Sequence, residues 1–91
     1  MEKKLQIAVL DRGFVYVGET AIDPADGFLI ICQASNVRRW GTSRGLGQLA
    51  TEGPQKQTVL DPAGTVRAPL TAVVHLIDCD PAAWAKATQA A

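Results

Sequence analysis

Residues 5–32 read LQIAVLDRGFVYVGETAIDPADGFLIIC and predict three successive β-strands. Runs rich in β-branched and aromatic residues are separated by two turn signals, Asp11-Arg-Gly13 and Asp23-Pro-Ala-Asp-Gly27. Glycine supplies positive φ and proline presets φ, so both segments are suited to reversing the chain. We expect the first two strands to form a hairpin. The predicted strands are residues 5–10, residues 14–22, and a third that begins at Phe28 and runs toward Arg39.

Further along the chain, two more β segments follow the same logic. Residues 58–60 and 65–67 flank Asp61-Pro-Ala-Gly64, which predicts a second hairpin around a proline-then-glycine turn. Residues 71–78 are apolar at both odd and even positions, a pattern typical of a strand that is covered on both faces. The sequence therefore places this last strand at the centre of the sheet.

Two segments carry helix signals. Leu46, Leu49 and Ala50 follow helical spacing, with Thr42 or Ser43 as the expected cap, and predict a short helix over residues 46–51. The second signal is stronger, because an Asp-Pro pair at 80–81 precedes an alanine-rich segment that extends to residue 90. An isolated helix of this length is marginal in water, so we expect its tryptophan, residue 84, to dock it on the sheet.

These elements together predict a mostly β fold of five to six strands, forming a partly closed barrel or sandwich, with a short helical turn and a C-terminal helix. No repeat or linker divides the 91 residues, so we expect one small domain over residues 1–91. A chain of this size buries roughly 60–65% of its unfolded surface and does not require disulfides or metal to fold.

Composition narrows the class of partner. The formal net charge is zero, so nothing global attracts the chain to nucleic acid or to an anionic membrane. The longest apolar runs, residues 28–32 and 72–77, are far shorter than the ~20 residues of a membrane span. Only six residues separate the first lysines from Asp11, too few for the apolar core of a signal peptide. We therefore expect a cytoplasmic protein.

A local exception to this neutrality runs from Asn36 to Leu60, where the net charge is +3. Its tryptophan and cations form the candidate interaction surface, which consists of Arg38, Arg39, Trp40, Arg44 and Lys56. Arginine and tryptophan are enriched at protein interface hot spots, which favours a non-enzymatic module that binds a protein partner or itself. Arginines that bind phosphates beside a stacking indole are the alternative, a small-barrel nucleic-acid-binding protein. A structural role, in which Trp40 seals the end of the barrel, remains a third interpretation.

The sequence predicts no catalytic residue, cofactor or metal site. Residues 45–50 match the dinucleotide fingerprint G-x-G-x-x-A, but they do not emerge directly from a strand, and the residues that follow cannot build alternating βαβ units. His75, the only histidine, lacks metal-ligating partners at suitable spacing and is expected on one strand face with Val73 and Ile77. Asp78 and Asp80 are explained as a strand end and a helix cap.

Three features resemble a family of small uncharacterised domains from phages and prophages. They are the basic and aromatic strand end after Ala34, the pattern Leu46-x-x-Leu49-Ala50-x-Glu52-Gly53, and the apolar strand that closes at Cys79. The chain departs from the family pattern at residues 38 and 39, where aromatic residues are usual, and at the glycines of residues 45 and 47. The resemblance implies a β-rich fold of mobile-element origin and no particular activity.

Overall fold

The computed structural model describes residues 3–90, which form one antiparallel five-stranded sheet, two α-helices and two short 3₁₀ turns. The strands are β1 (Lys4–Leu10), β2 (Val15–Asp23), β3 (Phe28–Arg39), β4 (Val59–Pro69) and β5 (Val73–Asp78). The helices are α1 (Leu46–Glu52) and α2 (Pro81–Ala90), and the 3₁₀ turns are Asp11–Gly13 and Leu70–Ala72. The order across the sheet is β4-β3-β2-β1-β5. The mostly β class and the first three predicted strands are confirmed.

Gly18 lets the sheet bend sharply in the middle of β2. A Cβ at this position would lie 2.8 Å from the carbonyl oxygen of Cys32 and 2.8 Å from Cγ2 of Ile31. The pairing of β2 with β3 shifts register at the same level, where Gln33 has a φ of 50°. Such a bulge places extra residues on one strand and increases the local bend. Glycine is therefore required where the two strands cross most closely.

Apolar side chains pack on both faces of the bent sheet. The helix-side cluster joins residues of β1, β2 and β3 to α1 and α2, whereas the inner cluster joins residues of β1, β3 and β4. Neighbours such as Ile7 and Ala8 belong to different clusters, because successive strand residues point to opposite faces. Two strands separate β1 from β4 in the sheet, so their residues meet in one cluster because the sheet curls over itself.

The curl does not produce a closed barrel. Within residues 3–90 no hydrogen-bonded ladder joins β4 to β5, which remain the two edges of the sheet. The three-residue turn Leu70–Ala72 connects the end of β4 to the start of β5, so the edges approach each other at that corner. The prediction of a β domain with a short helix and a C-terminal helix is confirmed, whereas barrel closure is only partial.

The second predicted hairpin is wrong, because its two halves belong to the single long strand β4. Pro62 and Gly64 stay in the ladder, opposite Ser35 and Ala34 of β3. Gly64 has a φ of 71°, and the ladder accommodates it by shifting register near Ala34. The neighbouring strand β3 is 12 residues long and offers partners along its whole length. Ladder pairing therefore overrides the local turn signal.

The central position predicted for residues 71–78 is also wrong. Strand β5 lies at an edge of the sheet, beside β1. Ile77 packs against the helix-side cluster, whereas Val73 and Leu76 pack against the inner cluster. Apolar residues occur at both parities because each face of this edge strand contacts one of the two clusters, although none of its residues is fully buried.

Helix α2 begins as predicted, with Asp80 as its cap and Pro81 as its first residue. The backbone N–H of Ala82 donates a hydrogen bond to Oδ1 of Asp80 at 3.0 Å. Trp84 is buried, and its indole N–H donates to the carbonyl oxygen of Ala50 in α1 at 3.1 Å. Trp84 therefore docks the C-terminal helix, but its hydrogen bond is to α1, whereas the sequence predicted docking on the sheet.

Candidate interaction surface

The five residues of the candidate interaction surface lie in or beside the two connections that flank α1. Arg38 and Arg39 end β3, Trp40 follows them, Arg44 precedes α1, and Lys56 lies between α1 and β4. All four cations are exposed, and 44% of Trp40 is accessible to solvent. The connection after β3 therefore presents Trp40 at the surface instead of sealing it in the core.

The backbone at Trp40 is held firmly although its side chain is exposed. The hydroxyl of Thr58 donates a hydrogen bond to the carbonyl oxygen of Trp40 at 2.7 Å and accepts one from the N–H of Gln55 at 2.8 Å. A Cβ on Gly41, whose φ is 69°, would lie 2.2 Å from the nitrogen of Thr58. The missing side chain thus lets the two connections pack backbone to backbone, and this contact brings the Lys56 segment beside the tryptophan.

Two of the four cations have carboxylate partners. Nε of Arg38 lies 2.8 Å from Oδ2 of Asp61, and Nη2 of Arg44 lies 2.5 Å from Oε2 of Glu52. All four side chains are at least 43% exposed, so each pair contributes at most ~1 kcal/mol to stability. The main consequence is electrostatic, since each pair cancels a positive charge that the sequence assigned to a phosphate-binding patch.

Arg39 and Lys56 make no ion pair or side-chain hydrogen bond with any residue of the described chain. The pairing of β3 with β4 shifts register between Val37 and Arg39, so Arg38 is an extra residue in the ladder. Counted with Asp61 and Glu52, the surface carries a net charge of +2. Among the three arginines, the one without a carboxylate partner in the described chain is therefore Arg39, which adjoins Trp40.

The predicted cap of α1 is wrong. Gly45, with a φ of 82°, occupies the cap position, and no side chain caps the helix. The hydroxyl of Thr42 instead donates to the carbonyl oxygen of Gly45 at 2.8 Å. Oε1 of Gln48 accepts the backbone N–H of Arg44 at 2.8 Å. The chain turns at a glycine, so a residue three positions earlier cannot reach the first N–H groups of the helix.

His75 is exposed and does not share a face with Val73, so the predicted common face of Val73, His75 and Ile77 is wrong. Val9 pairs with His75 and Leu10 pairs with Val73, so the register shifts by one residue at this point. The shift leaves Val74 as the extra residue and puts Val73 and His75 on opposite faces. Among the described residues, no group of three or more His, Cys, Asp or Glu side chains is arranged to hold a metal ion.

The sequence did not single out a groove beside Phe14, which is 52% exposed. The groove is wide open and has a volume of about 220 Å³, and its lining residues come from β4, the end of β1 and the start of β2. Its apolar lining includes Leu10, Phe14, Tyr16, Val66 and Pro69, and Asp11 and Arg67 also border it. Phe14 and Tyr16 alternate with residues 15 and 17, so the sequence alone could have shown that the two rings share a strand face. It could not have shown that β4 lies against that face.

A second, larger concavity of about 340 Å³ lies over a polar row that crosses three strands. Nε2 of Gln6 donates to Oδ1 of Asp78 at 2.7 Å, and the buried hydroxyl of Thr20 contacts Oε1 of Gln6. The same hydroxyl also donates to the carbonyl oxygen of Lys4 at 3.2 Å. The side-chain polar atoms of Gln6 and Thr20 therefore bond to neighbouring strands and link β2, β1 and β5, which gives this polar row a structural role.

The two cysteines are free thiols in different surroundings. Cys32 is half-buried, whereas Cys79 is buried in the helix-side cluster. Burial raises the pKa of the Cys79 thiol to about 12, and the charge of Asp78 adds to the effect, while a hydrogen bond from the backbone of Ile7 partly opposes it. A thiol with so high a pKa is a poor nucleophile at neutral pH, because only the thiolate attacks.

A scan against models of known protein families finds no match, and a search of the curated proteins finds no similar sequence. Across residues 3–90, neither helix has the length and apolar content that crossing a membrane requires.

Proposed function

We propose that this chain is a non-enzymatic protein-interaction module, of phage or prophage origin as its motifs suggest, whose contact surface is centred on Trp40. The observation that carries the proposal is an indole 44% exposed on a backbone that is fixed by Thr58 and Gly41. A large aromatic side chain on a rigid backbone loses little conformational entropy on binding, so more of its contact energy is available as affinity. Tryptophan and arginine are also the residue types most enriched at interface hot spots.

The ion pairs favour a protein partner over nucleic acid. Affinity for nucleic acid depends on the number of phosphates that cations neutralise. Arg38 and Arg44 already contact carboxylates, so two of the four cations would have to exchange a protein partner for a phosphate. A protein surface requires no such exchange, because rim charges mainly influence specificity and the rate of association.

The proposal predicts that binding depends on Trp40. Wild-type protein would be used to select binders from a library of protein fragments displayed from the genome that encodes it. We expect Trp40→Ala to weaken the selected binders at least tenfold, which corresponds to about 1.4 kcal/mol. Ile22→Ala is the matched control, because Ile22 is an apolar side chain, 49% exposed, outside this surface. If the selected binders bound wild type and both variants with the same affinity, the proposal would be contradicted.

The nucleic-acid alternative is tested by the fluorescence of Trp40 in a Trp84→Phe background. That background removes the hydrogen bond to Ala50, so its folding is first checked by circular dichroism. We expect acrylamide to quench Trp40 and DNA at low salt to leave its emission unchanged. Emission that responds to DNA, with an affinity that falls steeply as salt increases, would instead support nucleic-acid binding.

A further inference from the structure

The Phe14 groove and the Trp40 connection lie at the same end of the sheet. Tyr16 pairs with Asn36, so position 14 in the chain before β2 is level with Arg38 at the end of β3. Trp40 follows two residues later. One end of the molecule therefore carries both a projecting indole and an open apolar groove bordered by the rings of Phe14 and Tyr16.

One carboxylate beside the groove and one cation beside the indole have no partner among the described residues of the monomer. Asp11 borders the groove, is exposed, and makes no side-chain hydrogen bond or ion pair with any residue between 3 and 85. Arg39 precedes the indole and is equally free of such partners. The chain as a whole has zero net charge, so no long-range repulsion keeps two copies apart.

We propose that the partner of this surface is a second copy of the chain, an inference that rests on the interaction module proposed above. Trp40 of each copy enters the Phe14 groove of the other, and Arg39 of each copy pairs with Asp11 of the other. A two-fold axis satisfies both contacts at once, because each copy supplies one projection and one groove at the same end of its sheet. The result is a closed dimer with two equivalent contacts.

The groove fits the size and chemistry of the proposed occupant. Its volume of about 220 Å³ accommodates a large side chain, and its lining is largely apolar and aromatic. Rings of Phe14 and Tyr16 offer offset or edge-to-face contacts to an indole, and Arg67 on its border can contact the indole face. Two buried indoles contribute only ~300–500 Å² to the interface, so we expect a weak dimer in the micromolar range.

Sedimentation equilibrium from 5 µM to 1 mM tests the inference at about 50 mM salt, where exposed charge pairs are little screened. We expect wild type to dimerise, and Phe14→Ala and Trp40→Ala each to weaken the dimer at least tenfold. Asp11→Arg and Arg39→Asp should each weaken it as well, and the double exchange should restore affinity to within about threefold of wild type. Glu19→Arg, the same charge change at an exposed residue of β2 that does not line the groove, should have no effect.

The charge exchange keeps the test decisive if Phe14→Ala fails to fold, because the side chains of Asp11 and Arg39 make no hydrogen bond or ion pair within the described residues that the exchange would break. Arg12 and Arg67 also lie near Asp11, so restoration by the double variant, and not loss in a single variant, identifies the pair. A wild type that stays monomeric to 1 mM, or a dimer indifferent to Asp11→Arg, overturns the inference. If the dimer is excluded but fragment binding still depends on Trp40, the proposed interaction module is retained. If fragment binding does not depend on Trp40 either, the dimer and the interaction module are both wrong.

Discussion

At the scale of single residues, Cys79 shows how position decides chemistry. It ends an apolar run, as Cys32 does, yet only Cys79 lies fully in the helix-side cluster. The folded protein holds its proton to a pH of about 12, whereas a thiol in the unfolded chain releases it near pH ~8.5. The unfolded state therefore binds fewer protons than the native state between these values, and stability must fall as the pH rises through this window.

Cys79→Ala is expected to remove this component of the pH dependence. Urea unfolding measures the free energy of unfolding at pH 8 and at pH 10.5. We expect this free energy to fall between the two pH values by at least ~1 kcal/mol more in wild type than in Cys79→Ala. The comparison uses the difference between the two pH values, because the substitution also removes buried volume at every pH. Cys32→Ala is the control, and its free energy of unfolding should fall between the two pH values by as much as that of wild type. If the free energy of unfolding depended on pH equally in wild type and Cys79→Ala, the buried thiol would not be the cause of the pH dependence.

At the scale of elements, the bend of the sheet depends on a missing side chain. Gly18 faces the backbone of Cys32 and the side chain of Ile31 at distances that no Cβ tolerates. Gly47, inside α1, has no such neighbour, because nothing lies within 4 Å of a Cβ built there. One glycine is therefore required by tertiary contact, whereas the other only lowers the helix propensity of its segment.

Alanine at these two positions should have opposite effects on stability. Gly18→Ala is expected to destabilise the fold by ~1–3 kcal/mol, because strands β2 and β3 must separate to admit the methyl group. Gly47→Ala is expected to stabilise it by roughly 0.5–1 kcal/mol, the gain in helix propensity. Urea unfolding of both variants measures the difference. A neutral Gly18→Ala would show that the bend does not require the close approach.

At the scale of the whole molecule, two apolar clusters share the same strands. Residues of β1 and β3 contribute to the helix-side cluster and to the inner cluster from opposite faces. Loosening one cluster moves the backbone that supports the other. We therefore expect the domain to unfold in one cooperative transition, as small single domains generally do.

Ile7→Val and Ile31→Val test this coupling as a matched pair. Both side chains are completely buried, one in each cluster, and each substitution should cost ~0.5–1.5 kcal/mol. Circular dichroism follows the sheet, and tryptophan fluorescence follows the helix-side cluster through Trp84. In both variants, the unfolding midpoint should shift by the same amount when it is measured with either probe. A shift of only one probe in Ile31→Val would show that the inner cluster unfolds independently.

Local chemistry was sufficient to predict several elements from the sequence. The first two strands and their turn contain short-range signals, and the Asp80-Pro81 start of α2 satisfies its own N–H groups within a few residues. The exposed cations between Arg38 and Lys56 were also predictable, since charged side chains seldom lie fully inside a fold. These features depend on neighbours in the chain, which the sequence specifies directly.

The remaining features depend on which distant segments meet, and only the tertiary structure determines that. Pro62 and Gly64 form strand instead of turn because β3 extends beside them. Asp61 and Glu52 neutralise two arginines because pairing and helix geometry bring them within reach. The Phe14 groove exists because the sheet bends at Gly18 and brings β4 back toward β1. Hydrogen-bonded ladders and apolar burial outweigh local preferences of ~1 kcal/mol per residue, so the final strand order and the groove follow from the whole fold.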